Sequence, residues 1–306
     1  MFSRGLMRSA LVATGSGVAL KQKMARSLSS STYVHSSSVA LANQTMSAKQ
    51  ITASTIAVGD WDGKIYLSNP PATLEQRGAV RAIAKLNDDV FATAQQSQIH
   101  VWDVNTQQQL RTFGPDQAAL ISDMVGFHNG LLAVVRWGSE RVEIWDANTG
   151  ELKWCLVGHM DDVKYIAALP RNRLATYAWD NQIRTWNLET GQRESVFSSG
   201  HVGALVGLPD DRLVTATLSG LMVWADGKCV KEIKMQDIPW RPRMVVTPDG
   251  KLLVTAFKTA FRMVDLATQQ TEDVYSLLMP DEILCTDSGH VVTFGPGCQM
   301  NCFRPK

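Results

Sequence analysis

No run of eighteen apolar residues occurs in this 306-residue chain, so a transmembrane helix is not expected. Its five cysteines, at 155, 229, 285, 298 and 302, form no CxxC pair and share no ligand spacing with histidine. They are expected to be reduced thiols packed as small hydrophobes. Six histidines are scattered at 35, 100, 128, 159, 201 and 290, and none pairs at metal spacing. A glycine-rich phosphate loop, a nucleophile elbow and a Ser-His-Asp arrangement are all missing. No catalytic residue, cofactor, metal or small-molecule substrate is therefore assigned.

Acid is absent from the N-terminal stretch. No Asp or Glu precedes Asp60, whereas Arg4, Arg8, Lys21, Lys23, Arg26 and Lys49 all do. The opening MFSRGLMRSALVATGSGVALKQKMARSLSSS is basic and rich in serine. On a helical wheel Phe2, Leu6, Ala10 and Ala13 share one face and Arg4 and Arg8 the other, with Leu11 and Val12 breaking the pattern. This composition marks a mitochondrial presequence; a secretory signal would not have its apolar segment broken by Arg8 and TGSG. Arg26 stands three residues before a candidate cut at Leu28/Ser29 and ten before one at His35/Ser36. Residues 1–35 are accordingly read as a targeting presequence or basic N-terminal arm, and 36–306 as the folded unit. The expected location is mitochondrial, matrix or matrix-facing. The alternative is a basic tail on a cytoplasmic protein, with Met24 or Met46 as other candidate starts.

What is present describes a soluble globular chain: 45% hydrophobic and 19% charged residues. Its net charge of +1 depends on the N-terminus. Without the five basic residues up to Arg26, 25 positive side chains face 29 negative ones, a net of −4. Such a surface is poorly suited to neutralising phosphates, so direct nucleic-acid contact is expected to be limited or absent. Other protein subunits are the expected partners.

From about residue 37 onward, short alternating segments are bounded by turn residues, and no helical period is convincing. SQIHVWDV, ERVEIWDA, NQIRTWNL and SGLMVWAD place Trp102, Trp145, Trp186 and Trp224 at one strand position. The same frame holds Ser68, Val264 and Phe303, with successive spacings of 34, 43, 41, 38, 40 and 39. LPRNRL, LPDDRL, TPDGKL and TDSGHV begin 39 residues apart, at 169, 208, 247 and 286. NTG (148–150), ETG (189–191) and ADG (225–227) follow the tryptophan strands as a third turn register. Three registers with one period predict seven units of four short strands.

These features resemble the WD-repeat β-propeller family over about residues 37–306. Trp102–Asp103 and Trp145–Asp146 match its signature dipeptide, which becomes Trp186–Asn187 and Trp224–Ala225 in the next two units. Gly158–His159 lies 27 residues before Trp186 and Gly200–His201 lies 23 before Trp224, as the family's Gly-His does. Asp180 matches the aspartate that orients that histidine. The resemblance implies a buried network of His159, Asp180 and Trp186, and puts His201, Trp224, Trp102, Asp103, Trp145 and Asp146 in the equivalent networks. Gly289–His290 falls in the turn register and is not the family's Gly-His. The implied fold is an all-β, seven-bladed WD-repeat propeller closed by an N-terminal strand, for which SSVALA (37–42) is the candidate.

Trp61, Trp179 and Phe257 sit seven residues before the tryptophan column, with Trp137 nearby. The longest loop between units, MQDIPWRP (235–242), offers Trp240 and Arg241. Aromatic residues and arginine anchor protein interfaces, so these six form the candidate partner-binding rim. Asp123 and Asp281 are candidates to face a central channel, without a convergent set. The expected function is a non-catalytic interaction scaffold, a structural or accessory subunit of a large mitochondrial assembly such as the ribosome or a respiratory-chain or ATP-synthase complex. A cytosolic WD-repeat signalling adaptor and a lactonase-type propeller hydrolase are the alternatives.

Overall fold

The computed structural model describes residues 33–40, 45–69, 71–115, 119–256, 261–274, 280–295 and 299–305. Every regular element among them is a strand, and no helix there is long and apolar enough to cross a membrane. The strands form seven four-stranded antiparallel sheets. Blade 1 comprises Thr45–Gln50, Ile56–Asp60, Lys64–Ser68 and Pro71–Glu75; blade 2, Val80–Lys85, Val90–Gln95, Gln98–Asp103 and Gln109–Phe113. Blade 3 comprises Ile121–Gly126, Leu131–Arg136, Val142–Asp146 and Glu151–Leu156; blade 4, Val163–Leu169, Arg173–Ala178, Gln182–Asn187 and Gln192–Ser198. Ala204–Gly207, Leu213–Thr217, Gly220–Ala225 and Lys228–Lys234 build blade 5, and Met244–Val246, Leu252–Val254, Phe261–Val264 and Thr271–Val274 blade 6. Blade 7 takes Glu282–Cys285, Val291–Gly295 and Gln299–Pro305, and its outer strand is Tyr33–Ala40 from the other end of the chain.

The first strand of each blade contacts those of its neighbours, and blade 1 meets blade 7, so the ring is closed. The buried apolar side chains described fall into seven clusters, one at each blade–blade interface. A strand covered on both faces has no polar side to present, and Leu131–Arg136 is buried throughout, whereas the outer strand Glu151–Leu156 buries only Leu156. The tryptophan column faces the preceding blade: Trp102 packs against blade 1, Trp145 against blade 2, Trp186 against blade 3 and Trp224 against blade 4. Val264 and Phe303 fill the same place in blades 6 and 7, fully buried. Ser68 does not; it is exposed at the end of its strand and accepts from the Ile56 amide at 2.8 Å.

The turn registers fall where the repeat requires. LPRNRL, LPDDRL, TPDGKL and TDSGHV connect first to second strands, and NTG, ETG and ADG connect third to fourth. Arg171, Asn172, Asp211 and Asp226 take left-handed backbone there, as tight strand connections demand.

The closing strand differs in extent from the expected one. It runs Tyr33–Ala40 and not 37–42, with Tyr33 opposite Pro305 and Ala40 opposite Gln299, and a register shift between His35 and Ser37. Backbone pairing reaches back as far as Pro305 offers a partner, which sets the start three residues ahead of Ser36. Residues 41 and 42 lie outside the described residues.

Candidate partner-binding face

The fourth blade carries the network that fixes the loops on one face. His159 Nδ1 lies 3.0 Å from Asp180 Oδ2, and its Nε2 lies 2.7 Å from Thr176 Oγ1. Trp186 donates its indole N–H to the same Thr176 oxygen at 3.0 Å. Asp180 also accepts from the amides of Met160 and Gln182 and from Arg184 Nη1 at 2.7 Å, so one carboxylate ties the loop entering the blade to the turn between its second and third strands. Burial pushes the His159 imidazole below the ordinary histidine range; Asp180 opposes this and the Arg184 charge adds to it. Burial of Asp180 is outweighed by the Met160 amide, Arg184 and His159, which hold it below the usual carboxylate range.

Thr176 is the member that the sequence pattern did not single out. Thr93 and Thr215 do its work in blades 2 and 5, accepting from Trp102 at 2.9 Å and Trp224 at 3.0 Å. In all four tryptophan blades the pairing to the outer strand slips by one residue just before the tryptophan. Asp103 and Asp146 have another task than the buried network. Their carboxylates cap the following turn, accepting from the amides of Asn105 and Thr106 and of Asn148 and Thr149. Asn187 and Asp265 cap theirs in the same way, so the change from Asp to Asn keeps the function of the position.

His201 stands outside any such network. Tyr177 reaches from blade 4 to take the place, its hydroxyl bonded to Asn181 and Gly200 and receiving the Val202 amide at 3.2 Å. Blade 5 has no aspartate to anchor the imidazole, and His201 turns outward. It is exposed, edge-on to Trp240 at 4.4 Å and to Trp179 at 5.3 Å.

The turns between second and third strands and the loops between blades open on one face. Trp61, Trp137 and Trp240 are 48%, 57% and 50% exposed there, together with Met160 at 85% and Leu218 at 62%. Trp179 is half-buried with Lys164 Nζ 5.5 Å from its ring centre, and Arg81 lies equally far from that of Trp61. Arg241 is exposed beside Trp240. Phe257 lies outside the described residues, as do Arg26, Leu28 and Ser29; His35 and Ser36 belong to the closing strand. Met160 and Leu218 were not singled out in the sequence, because a lone apolar loop residue carries no periodic signal.

At the channel the pairing registers put Ser47, Asp123, Tyr165 and Glu282 at one level of the first strands, and Arg243, whose carbonyl accepts from the Thr255 amide, immediately precedes the first strand of blade 6. Burial pushes Asp123 up to about 6, against the Met124 amide and the charges of Arg243 and Lys49. Glu282 is raised for the same reason, and pairs with Arg243 at 3.3 Å. Asp123 thus lies within the electrostatic reach of Glu282, Arg243 and Lys49, while Asp281 holds its amide on the Phe294 carbonyl. Among the described residues no group of three or more His, Cys, Asp or Glu is placed to hold a metal.

The chain overlays the crystal structure of the WD40 β-propeller domain of Doa1 with a TM-score of 0.75, covering 90% of this chain and 98% of that one at 13% identity. Its curated relatives point the same way. It is 28% identical over 138 residues to the WD repeat-containing protein WDS homolog of Arabidopsis thaliana, which is 42% of this chain and 26% of that protein. It is 27% identical over 203 residues to the periodic tryptophan protein 2 homolog of Dictyostelium discoideum, or 61% and 22% of the two chains. The chain is a WD-repeat β-propeller. No protein-family model matches it. The matched region spans about a quarter of the length of these relatives. In this WD-repeat propeller the complete His-Asp-Thr-Trp network occurs in blade 4, next to the loops that carry Met160, Trp179 and His201, and so it stiffens the side of the ring where the exposed apolar residues gather.

Proposed function

We propose that this propeller is a non-catalytic protein-interaction platform and that the face bearing Trp61, Trp137, Trp179, Trp240 and Arg241 is the one it presents to partners. The observation that carries the reading is the gathering of half-exposed tryptophans on one side of a ring whose blades are otherwise closely packed. Aromatic residues in rigid loops supply contact area at low entropic cost, and an exposed apolar face marks an interaction site. The acid-free, basic stretch before Tyr33 supports the finer reading, a structural or accessory subunit of a large mitochondrial assembly. Mitochondrial ribosomes and respiratory-chain or ATP-synthase complexes are the candidate hosts.

The test is native purification from fractionated cells, followed by measurement of the protein's N-terminus and the mass of the particle containing it. A start near Ser29 or Ser36 inside a megadalton mitochondrial particle agrees with the proposal. A cytoplasmic protein with an intact N-terminus in a small complex would refute the mitochondrial reading and favour the signalling adaptor. A protein that travels alone in every fraction would refute the platform itself.

A further inference from the structure

We infer that the cleft between the top of blade 5 and the 235–243 loop receives one bulky apolar side chain from a partner segment that carries a carboxylate beside it. The inference rests on the platform reading and names the chemistry of its partner. The cleft is lined by His201, Gly203, Thr217, Leu218, Ser219 and Trp240, is open to one side and measures about 260 Å³. That is below the roughly 300–1,000 Å³ of small-molecule sites and suits a single side chain.

Its walls demand an apolar guest. Trp240 and Leu218 offer their exposed surfaces to it. The two hydroxyls in the lining answer each other, Thr217 Oγ1 and Ser219 Oγ being 3.0 Å apart, and the Ser219 amide donates to Thr217 as well. The cleft is also formed before any partner arrives. Met235 and Ile238 of the loop are buried in the core between blades 5 and 6. Gly203 lets the loop close, since a Cβ there would fall 2.4 Å from the Trp240 carbonyl oxygen. His201 braces Trp240 edge-on, and Trp179 braces His201. A tryptophan held this way loses little freedom on binding.

Charge selects what accompanies the guest. Arg241 is exposed and in no ion pair among the described residues. Arg243 is more than half exposed beside Glu282, and its charge and that of Arg241 both reach Tyr165 at the channel side. Lys164 is already matched by Asp162 at 3.2 Å. Arg241 follows Trp240 in the chain, and its exposed, unpaired guanidinium is suited to a carboxylate carried beside the guest, which it can grip with two parallel N–H bonds. The guest is therefore a Leu, Met or Phe with an Asp or Glu within one or two positions.

The experiment is selection of random displayed peptides on the immobilised full chain, then anisotropy titration of an enriched synthetic peptide. The expected consensus is an apolar residue next to an acidic one. Trp240→Ala and Leu218→Ser should each weaken binding by about tenfold or more. Arg241→Glu should weaken the acidic peptide and restore binding to one whose acid is replaced by lysine. Trp240→Phe, which keeps a ring, should retain most of the affinity. Peptides without an acid, peptides bound equally well by Trp240→Ala, or self-association that Trp240→Ala abolishes would each overturn the inference. If the native protein still travels in a large particle, such a result removes the cleft alone; if it travels alone and no peptide is enriched, the platform reading falls with it.

Discussion

Trp145 donates its indole N–H to Glu143, two positions earlier on the same strand, at 2.9 Å. Trp102, Trp186 and Trp224 reach a threonine on the adjoining strand instead, but blade 3 has Val134 at that place. Glu143 is in turn gripped by both Arg136 Nε and Nη2, at 2.9 and 3.0 Å, and Arg136 Nη1 bonds the carbonyls of Ser97 and Ala119. Blade 3 thus replaces one hydroxyl with an ion pair that also holds blade 2.

Glu143→Ala should be among the most damaging single changes. It strands a nearly buried guanidinium and an indole N–H together, which costs about 3–5 kcal/mol. Glu143→Gln keeps an acceptor and should cost less. Urea unfolding followed by circular dichroism measures both; equal losses would mean that the neutral acceptor recovers nothing and that the charge carries the whole interaction.

In blade 4, Thr176→Val removes the shared partner of His159 and Trp186 with almost no change of shape. The expected loss is about 1–3 kcal/mol for leaving these buried groups unmatched. Thr176→Ser should recover most of it. A valine variant as stable as the native chain would show that the hydroxyl contributes nothing.

Two tryptophans of equal size should respond very differently to removal. Trp186 is 3% exposed and Trp240 50%. Trp186→Ala is expected to cost about 3–5 kcal/mol, while Trp240→Ala should stay within about 1 kcal/mol. Differential scanning calorimetry separates the two, and a large loss at Trp240 would reassign it to a structural role.

Stability should depend on pH with two opposing contributions. Burial lowers both His159 and His100 below the ordinary value near 6.5. Below that pH the unfolded chain binds protons that the folded chain does not, so their contribution is present above it and lost on acidification. Asp123, pushed up to about 6, acts in reverse: between about pH 4 and 6 the folded chain keeps a proton that the unfolded one has released, and acidification restores stability. Asp123→Asn should therefore steepen the decline from pH 7 to 5. Urea midpoints at several pH values measure this, and an unchanged slope would contradict it.

The N-terminal strand gives a graded test. A chain starting at Ser29 keeps all of Tyr33–Ala40 and should melt like the full chain. One starting at Ser36 loses the pairing of Tyr33, Val34 and His35, worth about 2 kcal/mol in ladder hydrogen bonds and about 4 °C in Tm. One starting beyond Ala40 leaves Gln299–Pro305 as an open edge and should aggregate. Melting curves of the three chains check the order.

The architecture was legible because turns and burial impose a period that survives loss of the signature residue. Val264 and Phe303 hold the tryptophan position on spacing alone, and the four Pro/Asp/Gly turns lie where the count put them. The finer chemistry was less legible. Thr176 is one of many threonines in the chain, and only strand pairing shows that it faces Trp186. His201 has the right spacing, yet spacing does not reveal that its aspartate is missing and that Tyr177 fills the place. The capping role of Asp103 and Asp146 is a backbone matter, visible only once the turn is folded. Trp61, Trp137 and Trp240 were found from their positions; the cleft beside Trp240 required the close approach of Gly203, which no pattern encodes.

The pairing of Tyr33–Ala40 with Gln299–Pro305 imposes an order of events. The first of the described strands to leave the ribosome is the last to find its place, because its partner is made after six whole blades. Until then the nascent ring has two raw edges and a waiting segment that must be kept from other strands. The same holds for a chain threaded N-terminus first through a narrow pore. Completion of the circle thus waits for the synthesis of Gln299–Pro305, and the time spent before it is when the molecule most needs a chaperone.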